Sequence, residues 1–198
     1  MIERIVTKPN MLKACRQVVS NKGAAGVDGL GVRALAEHLA VHGEGLAAAL
    51  QSGQYEPQAI LGVAIPKSKG GTRLLGIPTV TDRLLQQAVH QVIMPLFEVE
   101  FKAHSYGFRP KRSAQQAVQR AQQTINEGYQ HIVDIDLKSF FDEVDHCVLL
   151  QLLYRKVKCP LTMRLIRRWL RAPIQVDGKL VKRRKGVPQG SPLSPLLS

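Results

Sequence analysis

The sequence predicts an α+β fold in which helices pack on a small, mainly antiparallel sheet. Three observations point there. First, apolar residues recur at helical spacing in several stretches, most clearly Leu84, Leu85, Ala88, Val89, Val92 and Ile93. Second, LGVAIPKSKGGTRLLGIP (61–78) and IQVDGKLV (174–181) each read as two strands around a turn. Third, 198 residues with 44% hydrophobic content suffice to bury a core.

Each element has a local cause. Asn10 is expected to cap a short helix carrying Met11, Leu12, Cys15, Val18 and Val19. The glycine-rich KGAAGVDGLG (22–31) demands a loop. A helix should follow from about Val32 to Leu50, interrupted near Gly43 and Gly45. The first hairpin places strands before Pro66 and before Pro78, and a helix should start at Thr81 or Asp82. Ser113 and Gln116 have the spacing of a capping box, opening a helix to about Asn126 with Gly128 beyond its end. GYQHIVDIDL (128–137) reads as a strand. Asp145 can cap a helix over 146–157. In LTMRLIRRWLR, Leu165, Ile166, Trp169 and Leu170 should face in, while Arg164, Arg167, Arg168 and Arg171 face out. Asp177-Gly178 is a strong hairpin turn. A last helix should begin at Ser191 or Ser194, where Ser-Pro supplies a cap and a first-turn proline. The chain ends just as that helix begins, which leads us to expect a piece of a longer protein.

The charge balance is lopsided. Twenty-eight Lys and Arg face 15 Asp and Glu, a net charge of +13. Such a balance favours a polyanionic partner, although a soluble basic protein and an acidic membrane surface remain open on charge alone. No stretch is long and apolar enough to span a bilayer, and the N-terminus lacks a signal-peptide core, so a cytoplasmic location without membrane insertion is expected. Cys15, Cys147 and Cys159 are widely spaced with no CxxC, which predicts reduced, buried thiols. The six histidines are scattered and suggest no metal site.

Against this basic background, IVDIDLKSFFDEVDH (132–146) holds five acids. On a strand, Val133, Ile135 and Leu137 share one face, and Asp134 and Asp136 share the other. Two carboxylates on one face suit a solvated strand end or a bound cation. Magnesium favours one or two carboxylates plus phosphate oxygens. On spacing alone, ordinary strand-end charges explain the pair equally well. The pattern also resembles the nucleophile motif of haloacid-dehalogenase-like phosphatases, but that family typically has Thr or Val where this chain has Lys138.

A more specific resemblance covers nearly the whole chain. IVDIDLKSFFDEVDH resembles motif A of group II intron-type reverse transcriptases, and GVPQGSPLSPLLS resembles their motif B. IPKSKGGTRLLGIPTVTDRLLQQAV resembles their fingers hairpin, SYGFRPKRSAQQAV the linking block, and GAAGVDGL the N-terminal extension. The five blocks occur in the family's order. The resemblance implies a right-hand polymerase: N-terminal extension and start of fingers over 1–60, fingers over 61–128, and a partial palm over 129–198. The implied reaction is template-directed addition of deoxynucleotides to a DNA primer, reading RNA, with two Mg²⁺ ions in the full-length enzyme.

Site residues follow by resemblance. Asp136 matches the first metal-binding aspartate, and the Leu137 carbonyl would help hold metal. Asp134 is expected to be solvated or one step removed from metal. Arg73, helped by Lys67 or Lys69, would bind the dNTP triphosphate, which suits bidentate Arg–phosphate contact. Phe141 would pack under the sugar and exclude a 2′-hydroxyl, whereas Phe140 reads as core. Gln189 and Gly190 would lie beside the nascent base pair. Tyr106, Arg109, Lys111 and Arg112 combine planar rings and charge in a way that suits single-stranded RNA. Beyond residue 146, twelve Lys and Arg face one acid, Asp177, and phosphate contacts are their natural use.

The family's motif C, an aromatic–Ala–Asp–Asp sequence, does not occur in these 198 residues. One ligating Asp should hold Mg²⁺ weakly or not at all, so this chain alone is expected to be inactive. Expected partners are an RNA template, intron RNA, a DNA primer and dNTPs. A face exposed by truncation would allow dimerisation. Two alternatives stay open: a non-catalytic, maturase-like module that binds intron RNA, and a retron or other bacterial reverse transcriptase. The GVDG and SYGFRP blocks favour the intron type.

Overall fold

The computed structural model describes residues 1–67 and 70–197. Nine α-helices and four strands appear among them: α1 (Ile2–Ile5), α2 (Lys8–Ser20), α3 (Leu35–Gln51), β1 (Ile60–Pro66), β2 (Thr72–Ile77), α4 (Val80–Glu98), α5 (Ala114–Asn126), α6 (Phe140–Glu143), α7 (His146–Val157), α8 (Pro160–Arg171), β3 (Ile174–Val176), β4 (Lys179–Val181) and α9 (Ser194–Leu197). A single 3-10 turn over Val32–Ala34 leads into α3. The class is α+β, as expected.

The strands form one sheet in the order β2-β1-β3-β4. β1 pairs antiparallel with β2, and β3 with β4. Only β1 and β3 run parallel, meeting at Ile60 and Ile174. Ile60, Ala172 and Ile174 make a small apolar cluster there. The main core gathers on α4, where Val80, Leu84, Leu85, Val89 and Ile93 are buried completely. Helices α1, α2 and α7 pack against it.

Several ends are set by local chemistry. Ser113 and Gln116 do form the reciprocal capping box of α5. Asp145 caps α7 by accepting from the Cys147 and Val148 N–H groups at 2.7 and 2.9 Å. Asp177 and Gly178 both take positive φ, as the β3–β4 turn requires. The last helix takes the later of its two expected starts, Ser194.

Other ends differ from expectation. Thr7 rather than Asn10 stands at the N-cap position of α2, without a side-chain capping bond, and Asn10 turns inward, donating to the Ile5 and Ala88 carbonyls at 2.8 and 3.0 Å. Helix α3 runs unbroken through Gly43 and Gly45. Two glycines cost it about 2 kcal/mol, which the buried anchors Leu35 and Leu50 offset. Thr79 caps α4 two residues before the expected start, accepting from the Asp82 N–H at 3.1 Å. Arg168 faces the core side, donating to the Gly53 and Tyr55 carbonyls at 2.7 Å and pairing with Glu56 at 2.9 Å. Cys15 is buried, Cys159 half-buried and Cys147 exposed, so burial fails for the last; all three are free thiols.

The largest difference lies at 129–137. The expected strand is absent: the segment is irregular, and Ile132, Val133 and Ile135 are about four-fifths exposed (79%, 82% and 83%). A strand needs a hydrogen-bonding neighbour, and no described strand pairs with this one.

Candidate active site

Two segments distant in sequence meet to form the site. Residues 183–187 lie against 141–146, held by the Gly186 N–H on the Val144 carbonyl (2.8 Å) and the Val187 N–H on the Phe141 carbonyl (2.7 Å). Buried His146 closes the same junction with a 2.7 Å bond to the Gly186 carbonyl. The chain then turns through Gln189 and Gly190 onto the hairpin. There the Gly76 N–H donates to the Gln189 carbonyl at 2.9 Å. Gly190 has φ +126°, and a Cβ on it would lie 2.6 Å from the Gly76 carbonyl oxygen, so no larger residue fits without movement. Ser191 anchors the turn to α4 by donating to Gln86 Oε1 at 2.7 Å, and Ser194 donates to the Pro188 carbonyl at 2.7 Å.

This docking brings Arg73, Phe141, Gln189 and Gly190 to one open cleft of about 600 Å³. A second cleft of about 500 Å³ adjoins it, sharing Phe141 and Gln189 and holding Asp136 and Leu137. Asp136 therefore lies on the same side of the molecule as Gln189, exposed and without an ion pair among the described residues. Asp134 is exposed and lines neither cleft. Phe141 is half-buried and packs on the main core, while Phe140 is the more exposed ring of the pair and lines the Asp136 cleft, contrary to the core role expected for it.

The residues of the β1–β2 hairpin and of the loop before α5 divide. Arg73 projects from β2, opposite Ile65 of β1. Lys67 is exposed at the hairpin turn, where its N–H and carbonyl bond Gly71 and Gly70; it lines neither cleft. Lys69 lies outside the described residues. In the linking loop, Arg112 sits 5.6 Å above the Tyr106 ring, and Lys111 is exposed with φ +60°. Arg109 departs from its expected role as a nucleic-acid contact. Its side chain is 7% exposed and donates to Glu98 (2.7 Å) and to the Lys102 and Ser105 carbonyls. All three of its guanidinium nitrogens donate within the loop and to Glu98, holding the loop together.

Sequence reasoning missed part of the cleft wall. Arg83, Gln87 and His90 line it from α4. Their i, i+4, i+7 spacing was a readable polar stripe on α4. Arg83 is 8% exposed; one guanidinium nitrogen donates to the Ala24 carbonyl, while Nε has no partner among the described residues. Burial pushes the His90 imidazole below its ordinary pKa. The glycine-rich loop wraps the start of α4 closely enough that a Cβ on Gly26 would meet the Thr79 backbone at 2.7 Å. Phe108 lines the cleft mouth at 78% exposure and φ +54°, a strained backbone for a bulky ring.

For metal, the donor set is incomplete. Among the described residues, no group of three or more His, Cys, Asp or Glu could hold an ion. Two-metal chemistry needs several converging carboxylates, and Asp136 with the Leu137 carbonyl does not supply them. No helix of the described residues is long and apolar enough to cross a membrane.

Residues 65–198 match the family described as reverse transcriptase (RNA-dependent DNA polymerase). The protein YkfC of Escherichia coli K12 is 37% identical over 202 residues, covering 98% of this chain and 53% of YkfC. The group II intron-encoded protein LtrA of Lactococcus lactis is 37% identical over 150 residues, covering 75% of this chain and 25% of LtrA. The chain thus spans about half of one relative and a quarter of the other. A solved chain from a partial Cas6-RT-Cas1–Cas2 complex superposes with a TM-score of 0.65 at 26% identity, covering 99% of this chain and 32% of that one.

Proposed function

The chain belongs to the reverse transcriptase family, in its group II intron-type branch, and from that premise we propose that it forms the nucleotide-facing part of an RNA-directed DNA polymerase. The observation that carries this reading is the convergence of Arg73, Phe141, Gln189 and Gly190 on one cleft, with Asp136 in the cleft beside it. Arg73 meets the triphosphate of an incoming dNTP, with Lys67 or Lys69 as its helper. Phe141 packs under the sugar and refuses a 2′-hydroxyl. Gln189 and Gly190 border the nascent pair, the glycine because backbone must approach closely. Tyr106, Lys111 and Arg112 contact RNA template, and Arg109 keeps their loop in shape. The DNA primer and intron RNA complete the partners of the whole protein.

Reverse transcriptases use divalent metal ions. Asp136 and the Leu137 carbonyl would contribute ligands for Mg²⁺, which neutralises charge on the transferred phosphate. A polypeptide of these 198 residues, lacking the partner carboxylates, is expected to be silent in primer extension on an RNA template.

The test is photolabelling of the cleft with 8-azido-dATP. Labelling should be competed better by dATP than by ATP. Arg73→Gln should reduce it about tenfold, as the loss of a charge-assisted bidentate contact implies. Phe141→Ala should bring the two competitors level. Undiminished labelling in Arg73→Gln would reject the cleft as the nucleotide site.

A further inference from the structure

We propose a second RNA-binding site in the groove between α7 and α8, separate from the polymerase clefts. The groove, about 440 Å³, is lined by Leu150, Gln151, Tyr154, Met163, Arg164 and Arg167 among others, and shares no residue with the two clefts. Its ligand is a single-stranded RNA segment, held by phosphate contacts to the two arginines and by stacking of one base on Tyr154. This inference rests on the reading of the chain as an RNA-handling protein.

Charge is the first argument. The α7–α8 hairpin, residues 146–171, carries seven Lys and Arg and no acid. Two of the seven are used internally: Arg168 on Glu56 and the 53–55 backbone, and Lys156 on Glu100 and over the Phe97 ring. Arg164 and Arg167 are different. Both are exposed, and neither has a hydrogen bond or ion pair among the described residues. They stand one turn apart on the same stripe of α8, followed by Arg171 at i+4. Two guanidiniums one turn apart, neither paired with a carboxylate among the described residues, repel each other unless an anion lies between them.

Shape is the second argument. Tyr154 is 53% exposed, and its hydroxyl has no partner among the described residues. An exposed ring beside cations is the composition that grips unpaired nucleotides, because every base has a face to stack. A groove this size admits a flipped-out base but not a duplex. An anionic membrane fits less well. α8 turns Leu165, Ile166, Trp169 and Leu170 into the core, leaving arginines rather than an apolar face outside.

The test is fluorescence anisotropy of a labelled 12-nucleotide oligouridylate RNA across a salt series, on the 198-residue chain. Arg164→Gln/Arg167→Gln should weaken binding about tenfold near physiological salt. It should also flatten the log–log salt slope by about 1.4, since each single-strand phosphate contact contributes about 0.7. Tyr154→Leu should weaken binding about fivefold or more, whereas Tyr154→Phe should not. Arg164→Lys/Arg167→Lys should restore the slope. All variants should unfold at the wild-type temperature, because none of these side chains is bonded internally. Unchanged affinity and slope in both the Gln double variant and Tyr154→Leu, with normal wild-type binding, would overturn the groove and leave the polymerase reading intact. Salt-independent RNA binding by the wild type would overturn both. Loss of binding to phosphatidylglycerol vesicles in the Gln double variant, with RNA binding unchanged, would reassign the groove to a membrane and overturn it as an RNA site.

Discussion

Asp82 and Asp136 sit in opposite physical situations, and the contrast divides the molecule by purpose. Asp82 is 1% exposed. It accepts from Tyr55 Oη (2.9 Å), the Gln58 N–H (3.2 Å), Thr79 Oγ1 (2.9 Å) and Trp169 Nε1 (2.8 Å). One carboxylate thereby ties α4 to the segment before β1 and to α8. Asp136 lies on an exposed stretch and accepts no hydrogen bond among the described residues. The first region spends its polar groups on the fold. The second leaves a charge free beside the cleft, where a ligand can use it. A buried acid with full partners is a structural device, and an exposed acid among apolar side chains with no partner is a candidate working group.

The comparison breaks most sharply at Asp82. Asp82→Leu strands the Tyr55, Thr79 and Trp169 donors, at about 1–3 kcal/mol for each unmet buried group. We expect a loss of about 3–5 kcal/mol in urea unfolding; a loss under about 1 kcal/mol would remove Asp82 from its tying role. A pH series sharpens the point. Burial holds the Asp82 carboxyl above its ordinary range, against the bonds from Trp169, Thr79, Tyr55 and Gln58 that pull it down. A raised folded-state pKa makes this group's contribution complete below about pH 3.9 and lost as pH rises through the folded value. Measured against Asp82→Asn, the wild type should therefore fare relatively better at acid pH than at neutral pH.

The next largest effect belongs to the junction that carries the cleft. Gly190→Ala places a methyl group against the Gly76 carbonyl and holds alanine at φ +126°. About 1–3 kcal/mol should be lost, and 8-azido-dATP labelling should fall with it as the Gln189 turn lifts off β2. Normal labelling with a normal unfolding midpoint would mean that the turn relaxes freely and the close approach is incidental.

What was legible in the sequence was mostly local. The Ser113–Gln116 box, the Asp145 cap and the Asp177-Gly178 turn each act within about four residues, so their chemistry can be read in a short window. Arg73, Phe141, Gln189, Gly190 and Asp136 were named by resemblance, and the fold brings them to two adjoining clefts. The misses were long-range. Asp82's partners stand at 55, 58, 79 and 169, so no window around it reveals a knot. Arg109 read as a surface cation because Glu98 and the Lys102 and Ser105 carbonyls fold around it only in three dimensions. Asn10 had the residue type of a cap but not the position: it lies inside α2, where its Oδ1 accepts from Gln91 Nε2 at 2.8 Å and its amide donates to the Ala88 carbonyl. The 129–137 segment has the alternation of a strand, but alternation describes faces and supplies no ladder partner.

The smallest expected effect tests the other side of the contrast. Asp136→Asn removes a charge that has no ion pair and no hydrogen bond among the described residues, so stability should change by less than about 0.5 kcal/mol. None of the N–H groups of 130–137 donates a hydrogen bond among the described residues, so their amides should exchange with solvent far faster than those of α4, in wild type and variant alike. A change above about 1 kcal/mol, or slow exchange through 130–137, would mean that this segment is already part of the folded core. The division between a carboxylate that holds the fold and one left for a ligand would then fail at its second term. If both results come out as expected, Asp136 is an acid the fold does not need, kept beside a basic cleft where only bound chemistry can give it a use.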